Sequence, residues 1–232
     1  MLGNNKTVLF SLLMRSLVLT KGSEERSSRA VAKREQILSG AKRVFLREGF
    51  AATSTDVIAR EAGVSKRTLY AYYPSKEELF EDVLRELTVE NPQTRVLESA
   101  RRINPKSREE LHEALLGLAK KLIATIMAPD YLALLRTIIA DSHRFPKLSE
   151  IFRSTVPERG LREGSAMIQR SQQNGIAVDG DPEVMIRMFM GPLLSYALVD
   201  GLFRPDSDPQ PPTTEKIEEI VELYVKAISA GE

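Results

Sequence analysis

Lys66, Arg67, Thr68, Tyr70 and Tyr72 fall within seven consecutive residues. Each carries donors suited to nucleic acid: cationic groups for guanine edges, hydroxyls for phosphate oxygens. Other chemistry is thinly represented. The chain has 2 histidines and no cysteine, and His112 and His143 lie too far apart for an HExxH-type zinc helix. Disulfides, thiolate catalysis and cysteine metal sites are excluded. Gly160-Leu161-Arg162-Glu163-Gly164 lacks the Lys-Ser/Thr of a phosphate-binding loop. The presence of Ser165 and His143 has no weight as a hydrolytic triad, since residues of these types occur in any helical protein. No catalytic residue, cofactor or metal site is expected, so the chain reads as a binder and not an enzyme.

Donors of this kind need a helix whose opposite face is apolar. Thr55 can cap a helix that places Ile58, Ala59 and Ala62 on one face, Gly63 can end it at a positive φ, and Ser65 can cap a second helix beginning at Lys66. Val64 and Leu69 supply the apolar contacts from the turn and the second helix. The result is a helix-turn-helix, and Thr55, Ser65, Lys66, Arg67, Thr68, Tyr70 and Tyr72 are its candidate DNA contacts. After Pro74, the capping box Ser75-Lys76-Glu77-Glu78 opens a further helix and puts Lys76 at an N-terminus suited to phosphate. Upstream, the spacing of Ile37, Leu38, Ala41, Val44 and Phe45 predicts a helix from about Lys33 to Glu48, stopped by Gly49.

The run from Gln36 to Leu87 carries Ile37-Leu38, Ala41, Phe45, Gly49-Phe50, Thr55, Ile58-Ala59, Ala62-Gly63-Val64-Ser65, Thr68-Leu69-Tyr70 and Tyr73-Pro74-Ser75-Lys76-Glu77-Glu78-Leu79. Over about a quarter of the chain it resembles the DNA-binding domain of the tetracycline-repressor (TetR) family. One position departs from the pattern: Arg67 stands before Thr68-Leu69-Tyr70, where a small residue, often Gly, is common. Arg136-Thr137-Ile138-Ile139-Ala140-Asp141-Ser142-His143-Arg144-Phe145-Pro146-Lys147-Leu148 resembles a stretch of one group of TetR C-terminal domains. The resemblance implies an all-α protein with an N-terminal three-helix helix-turn-helix domain and a C-terminal helical ligand-binding and dimerisation domain. The expected divisions are a flexible extension over 1–30, a DNA-binding head over 31–76 and a body over 77–232.

Charge agrees with a basic head. Residues 21–76 carry 12 basic against 6 acidic side chains, a local +6 within a chain whose net charge is +1, so the remainder is acidic. A hydrophobic content of 42% is enough for a sizeable core. Val8 to Leu19 is an apolar run interrupted by Arg15, shorter than the roughly 20 residues that span a bilayer. It fits a disordered or partly helical extension, an upstream translation start with Met14 nearer the true beginning, or an interfacial helix. Ser23 to Ala32 reads as a flexible arm in which Arg26 and Arg29 could reach a minor groove. No membrane partner is expected, and a cytoplasmic location is.

Beyond Pro92 the pattern is helical, at about Glu98 to Ile103, Ser107 to Met127, Tyr131 to Ser142, Lys147 to Asn174 with a break near Pro157 or Gly160, Pro182 to Phe203, and Thr213 to Ala230. Gly191-Pro192 should kink the penultimate helix. Tyr131, Leu135, Ile138, His143, Phe145, Phe152 and Met167 are candidates for an effector cavity, because aromatic and methionine side chains can wall adaptable space. Filling a core is the plainer reading of each apolar one. Met185, Phe189 and Tyr196, with Ile217, Val221 and Tyr224, make apolar stripes that resemble the family's dimer surface. The function expected is a homodimeric regulator, a repressor, that binds double-stranded DNA at a palindromic operator and is released by a small-molecule effector. The alternative is a helical DNA-binding or small-molecule-binding protein without ligand control.

Overall fold

The computed structural model describes residues 5–88, 90–91, 94–204 and 209–230, with side chains from residue 28 onward. It is all-helical among those residues, apart from one isolated bridge between Ala177 and Ser229. The first helix, α1 (Asn5–Ala52), is 48 residues long and bends at Gly49, whose φ of 77° and ψ of 173° lie outside the helical region. The stretch from Ser23 to Ala32 is therefore helical backbone and not a flexible arm. It contains no proline and no pair of glycines, so nothing in it removes a helical hydrogen bond. The side chains of Val8 to Leu19 and of Arg26 lie outside the described residues. Arg29 is exposed.

Next come α2 (Thr55–Glu61) and α3 (Lys66–Tyr72). Ser54 caps the first, accepting from the Val57 N–H at 3.3 Å, so the cap expected of Thr55 falls one residue earlier. Ser65 caps the second as read, accepting from the Thr68 N–H at 3.0 Å. Gly63 takes φ 63° between them. α4 (Lys76–Leu87) follows with Ser75 as its cap. The body contains α5 (Val96–Arg102), α6 (Arg108–Ile126), α7 (Pro129–Asp141), α8 (Pro146–Thr155), α9 (Pro157–Gln173), α10 (Pro182–Tyr196), a π-helical segment Ala197–Leu202, and α11 (Thr214–Ile228). Pro157 separates α8 from α9, as proline at a first helical turn does. Pro192 sits inside α10, and the helix runs on through it and then widens into the π segment.

Two apolar cores organise the chain. One joins Ile37, Phe45, Phe50, Ile58 and Leu69 of the helix-turn-helix to Leu79, Phe80 and Leu84 of α4 and to Leu134, Ile138, Leu148 and Ile151 of α7 and α8. Phe45, Phe50 and Phe80 meet with ring centroids 5.2 to 5.9 Å apart. The expected boundary at residue 76 thus cuts through a single core. The other core gathers α6, α9, α10 and α11 around Leu115, Met167, Phe189, Val221 and Val225.

Polar ties fix the head. Arg34 of α1 pairs with Asp82 of α4 and donates from Nε to the Tyr73 hydroxyl at 3.1 Å, and Tyr73 donates to Asp82 at 3.0 Å. Gln36 Nε2 donates to the Ala62 carbonyl at 2.6 Å, holding the end of α2 against α1. Gly40 makes that approach possible: a Cβ there would lie 2.7 Å from the Ala62 side chain and 2.8 Å from its Cα.

Candidate nucleic-acid interface

α3 buries Leu69 and turns Lys66, Arg67 and Tyr70 to solvent, with Thr68 and Tyr72 half-buried. Among the described residues Arg67 has no hydrogen-bond or ion-pair partner, so its guanidinium fork is unspent at the N-terminal end of the helix. Lys66 is engaged. Its ammonium lies 2.9 Å from Asp56 on α2, and that bond raises its pKa. The Tyr70 and Thr55 hydroxyls lie 3.1 Å apart, while Thr68 Oγ1 is 2.8 Å from Ser65 Oγ and is used in the cap. Tyr72 leans onto the head core. The structure thus gathers Thr55, Ser65, Lys66, Arg67, Thr68 and Tyr70 on one side of the head.

Lys76 corrects the reading as a phosphate contact. Its Nζ donates to the carbonyls of Phe50 and Thr53, each at 2.8 Å, and stands 4.1 Å from the centroid of the Phe50 ring. Burial lowers its pKa. Loop carbonyls left over at the bend after α1 have drawn the ammonium inward.

The seven candidate pocket residues do not line one cavity. Tyr131 and Met167 belong to the body core, with Leu135 and Phe152 against it. Ile138 belongs to the head core, and Phe145 packs there on Phe50 with centroids 5.6 Å apart. His143 is exposed. Ile138 and Phe145 part from Tyr131 because they face opposite sides of α7 and its following turn. A surface pocket of about 380 Å³ lies elsewhere, lined by Arg108, Glu109, His112, Glu113, Glu222, Val225 and Lys226. Among the described residues no cluster of His, Asp or Glu is arranged to hold a metal ion.

The dimer stripe also needs correction. Met185, Phe189, Ile217, Val221 and Tyr224 are buried within the chain itself, and the Tyr224 hydroxyl donates to the Met185 carbonyl at 2.9 Å. Tyr196 is half-buried under Lys216, whose Nζ is 5.9 Å from its ring centroid. The apolar surface left in solvent is the neighbouring face: Val184, Met188, Leu194, Leu198, Val199 and Phe203, with Leu223 on α11. Sequence shows two apolar stripes on these helices, and only packing tells which one the chain covers. By length and composition alone Pro182–Leu202 could cross a membrane, but it carries Glu183, Arg187 and Asp200.

Comparison with known proteins places this geometry. Residues 37–83 match the family described as bacterial regulatory proteins, tetR family. Residues 113–230, half of the chain, match the AefR-like transcriptional repressor C-terminal domain. The chain belongs to the TetR family. Among TetR-family relatives, the HTH-type transcriptional regulator RutR of Escherichia coli (strain K12) is 45% identical over 67 residues, 29% of this chain and 32% of that protein. The chain therefore matches about a third of the length of that curated relative. The solved Flavonoid-responsive Regulator FrrA is 30% identical with a TM-score of 0.63, covering 87% of this chain and 99% of that one. A TetR family transcriptional regulator from Pseudomonas syringae pv. tomato str. DC3000 is 26% identical with a TM-score of 0.63, covering 87% and 98%. The protein is a TetR-family transcriptional regulator with a DNA-binding helix-turn-helix head.

Proposed function

We propose that the protein is a homodimeric repressor that binds a palindromic operator and releases it when a small apolar molecule occupies the body. The observation that carries this reading is α3, whose Arg67 is exposed and unpaired at the leading end of a capped helix. Arg67 reads a guanine, Lys66 joins it once Asp56 lets go, and Thr55 and Tyr70 contact phosphate. Lys76 stays inside. The protein acts as a binder and not a catalyst, and works in the cytoplasm.

A second copy covers Val184, Met188, Val199, Phe203 and Leu223, all about half exposed or more in the single chain. A two-fold partner sets the two recognition helices about one DNA turn, roughly 34 Å, apart. The effector lies among Tyr131, Leu135, Phe152 and Met167, where a methionine and two aromatic rings can adapt to a guest. The name of the FrrA relative supports a planar aromatic compound as its class. Selection of bound DNA from a random pool tests the reading. A two-fold symmetric consensus is the expected result, and retention of DNA with steep salt dependence but no consensus would favour binding without regulatory specificity.

A further inference from the structure

Gly49 breaks α1 at a positive φ, and residues 50–54 carry the chain from there into α2. The polar groups of this hinge are satisfied by distant parts of the fold. The Ala51 N–H donates to Asp141 Oδ2, at the end of α7, over 2.9 Å. The Phe50 and Thr53 carbonyls accept from Lys76, at the start of α4, at 2.8 Å each. Thr53 Oγ1 closes the hinge on itself by donating to the Gly49 carbonyl at 2.5 Å. The last turn of α7 lies over the bend, since a Cβ on Gly49 would stand 3.7 Å from both Asp141 Oδ2 and Thr137 Cγ2. Phe145, just beyond α7, packs on the Phe50 ring.

α7 is also tied in the other direction. Five residues before Asp141, Arg136 donates from Nη2 to the Gly201 carbonyl at 2.9 Å and from Nε to the Leu202 carbonyl at 3.2 Å. Those carbonyls close the π segment beside the exposed Val199 and Phe203. Arg136 and Asp141 leave the helix about 140° apart at 3.6 residues per turn, so one helix holds the C-terminal apolar face with one side chain and the hinge with another.

From this arrangement we infer that Asp141 is a positioning residue for DNA recognition: its carboxylate sets the angle at which the hinge presents α2 and α3, and carries the orientation of the body to the head. The inference rests on the operator-binding reading above. A charge-assisted bond to a backbone amide is short and directional, which suits a group that must fix an angle. α2 begins within four residues of Ala51, and Gln36 fastens its far end to α1, so a small displacement at the hinge is a rotation at α3. Withdrawal of the end of α7 frees the Ala51 N–H and leaves α2 without its entry constraint.

The test uses the full chain and the DNA that wild-type protein selects from a random pool. Asp141→Ala is expected to bind that DNA at least tenfold more weakly. The slope of affinity against salt stays as in wild type, because no phosphate contact is lost. Amide exchange at Ala51 accelerates. Asp141→Asn keeps an acceptor for the Ala51 N–H and should recover most of the affinity and the protection, which a general role of the negative charge would not produce. If Asp141→Ala does not fold, Asp141→Glu substitutes for it, since one added methylene keeps the charge and misplaces the oxygen. Affinity within twofold of wild type in Asp141→Ala or Asp141→Glu overturns the inference, as does a loss in Asp141→Asn as large as in Asp141→Ala while Ala51 stays protected. Should wild type select no DNA sequence, the operator reading fails by itself. The exchange comparison at Ala51 then decides separately whether the carboxylate holds the hinge, and equal exchange in Asp141→Ala and wild type refutes it.

Discussion

Leu223→Glu separates subunit association from folding, because the structure puts Leu223 outside the chain's own core while Phe189 and Tyr224 lie within it. Leu223 is 61% exposed, so a partner would have about three fifths of its side chain left to cover. Full burial of a leucine is worth about 1.5 to 3 kcal/mol, which scales here to about 1 to 2 kcal/mol. A two-fold interface contains the position twice, so the loss is about 2 to 4 kcal/mol. That raises the dimer Kd by about 30- to 700-fold before the cost of leaving two carboxylates unpaired is added. Sedimentation velocity over a concentration series should show monomers for Leu223→Glu where wild type is dimeric, with helical circular dichroism and Tm close to wild type. Phe189→Glu is the control. Phe189 is fully buried, its ring 5.2 Å from that of Tyr224, and its replacement should unfold the body. An intact dimer for both Leu223→Glu and Val199→Glu would refute the assignment of this face.

The head gives a paired contrast. Arg67→Ala should cost about 1 to 3 kcal/mol of operator binding and relax preference at one base position, read by selection from a degenerate operator. Lys76→Met should lower Tm and leave the salt slope of DNA binding unchanged, because its ammonium is bonded to carbonyls of the hinge. Burial pushes Tyr131 up to about 12. The folded state therefore holds this proton to higher pH than the unfolded chain, whose tyrosines titrate near 10, and stability is intact below pH about 10 and lost toward about 12. Denaturant titrations should show that loss reduced by about 3 kcal/mol in Tyr131→Phe, with little change at pH 7.

Much of the head was legible because its signals are local. Ser65, Gly63 and the apolar positions of α2 and α3 act within a few residues of one another, and cap and turn chemistry follows from residue type. Ser54 displaced Thr55 as the cap by one position, within the usual play of two adjacent hydroxyl residues. Lys76 was misread for a different reason. Its place after a capping serine is local, but the carbonyls that claim it come from residues 50 and 53, across the turn of the helix-turn-helix. The body had the same difficulty on a larger scale. Met185 and Met188 are both apolar and three residues apart, yet one is buried and the other half exposed. No periodicity distinguishes a stripe that the chain covers from one it leaves for a partner. Ile138 and Phe145 likewise read as neighbours of Tyr131 until α7 was seen to serve two cores.

The π segment after α10 gives the last third of the chain an adjustable phase. A π turn amounts to one residue more than the α-helix needs, accommodated without breaking the rod. Here Gly201 lets the widened backbone lie close, since a Cβ would stand 3.1 Å from Leu132 and 3.2 Å from the Met127 sulfur. Removing one residue from Ala197–Leu202 would return the rod to α spacing and turn everything beyond it by about 100°. Phe203 would then point elsewhere. A single-codon deletion could thus redirect the outer apolar surface, and with it the choice of partner copy, while every residue of the helix-turn-helix stayed the same.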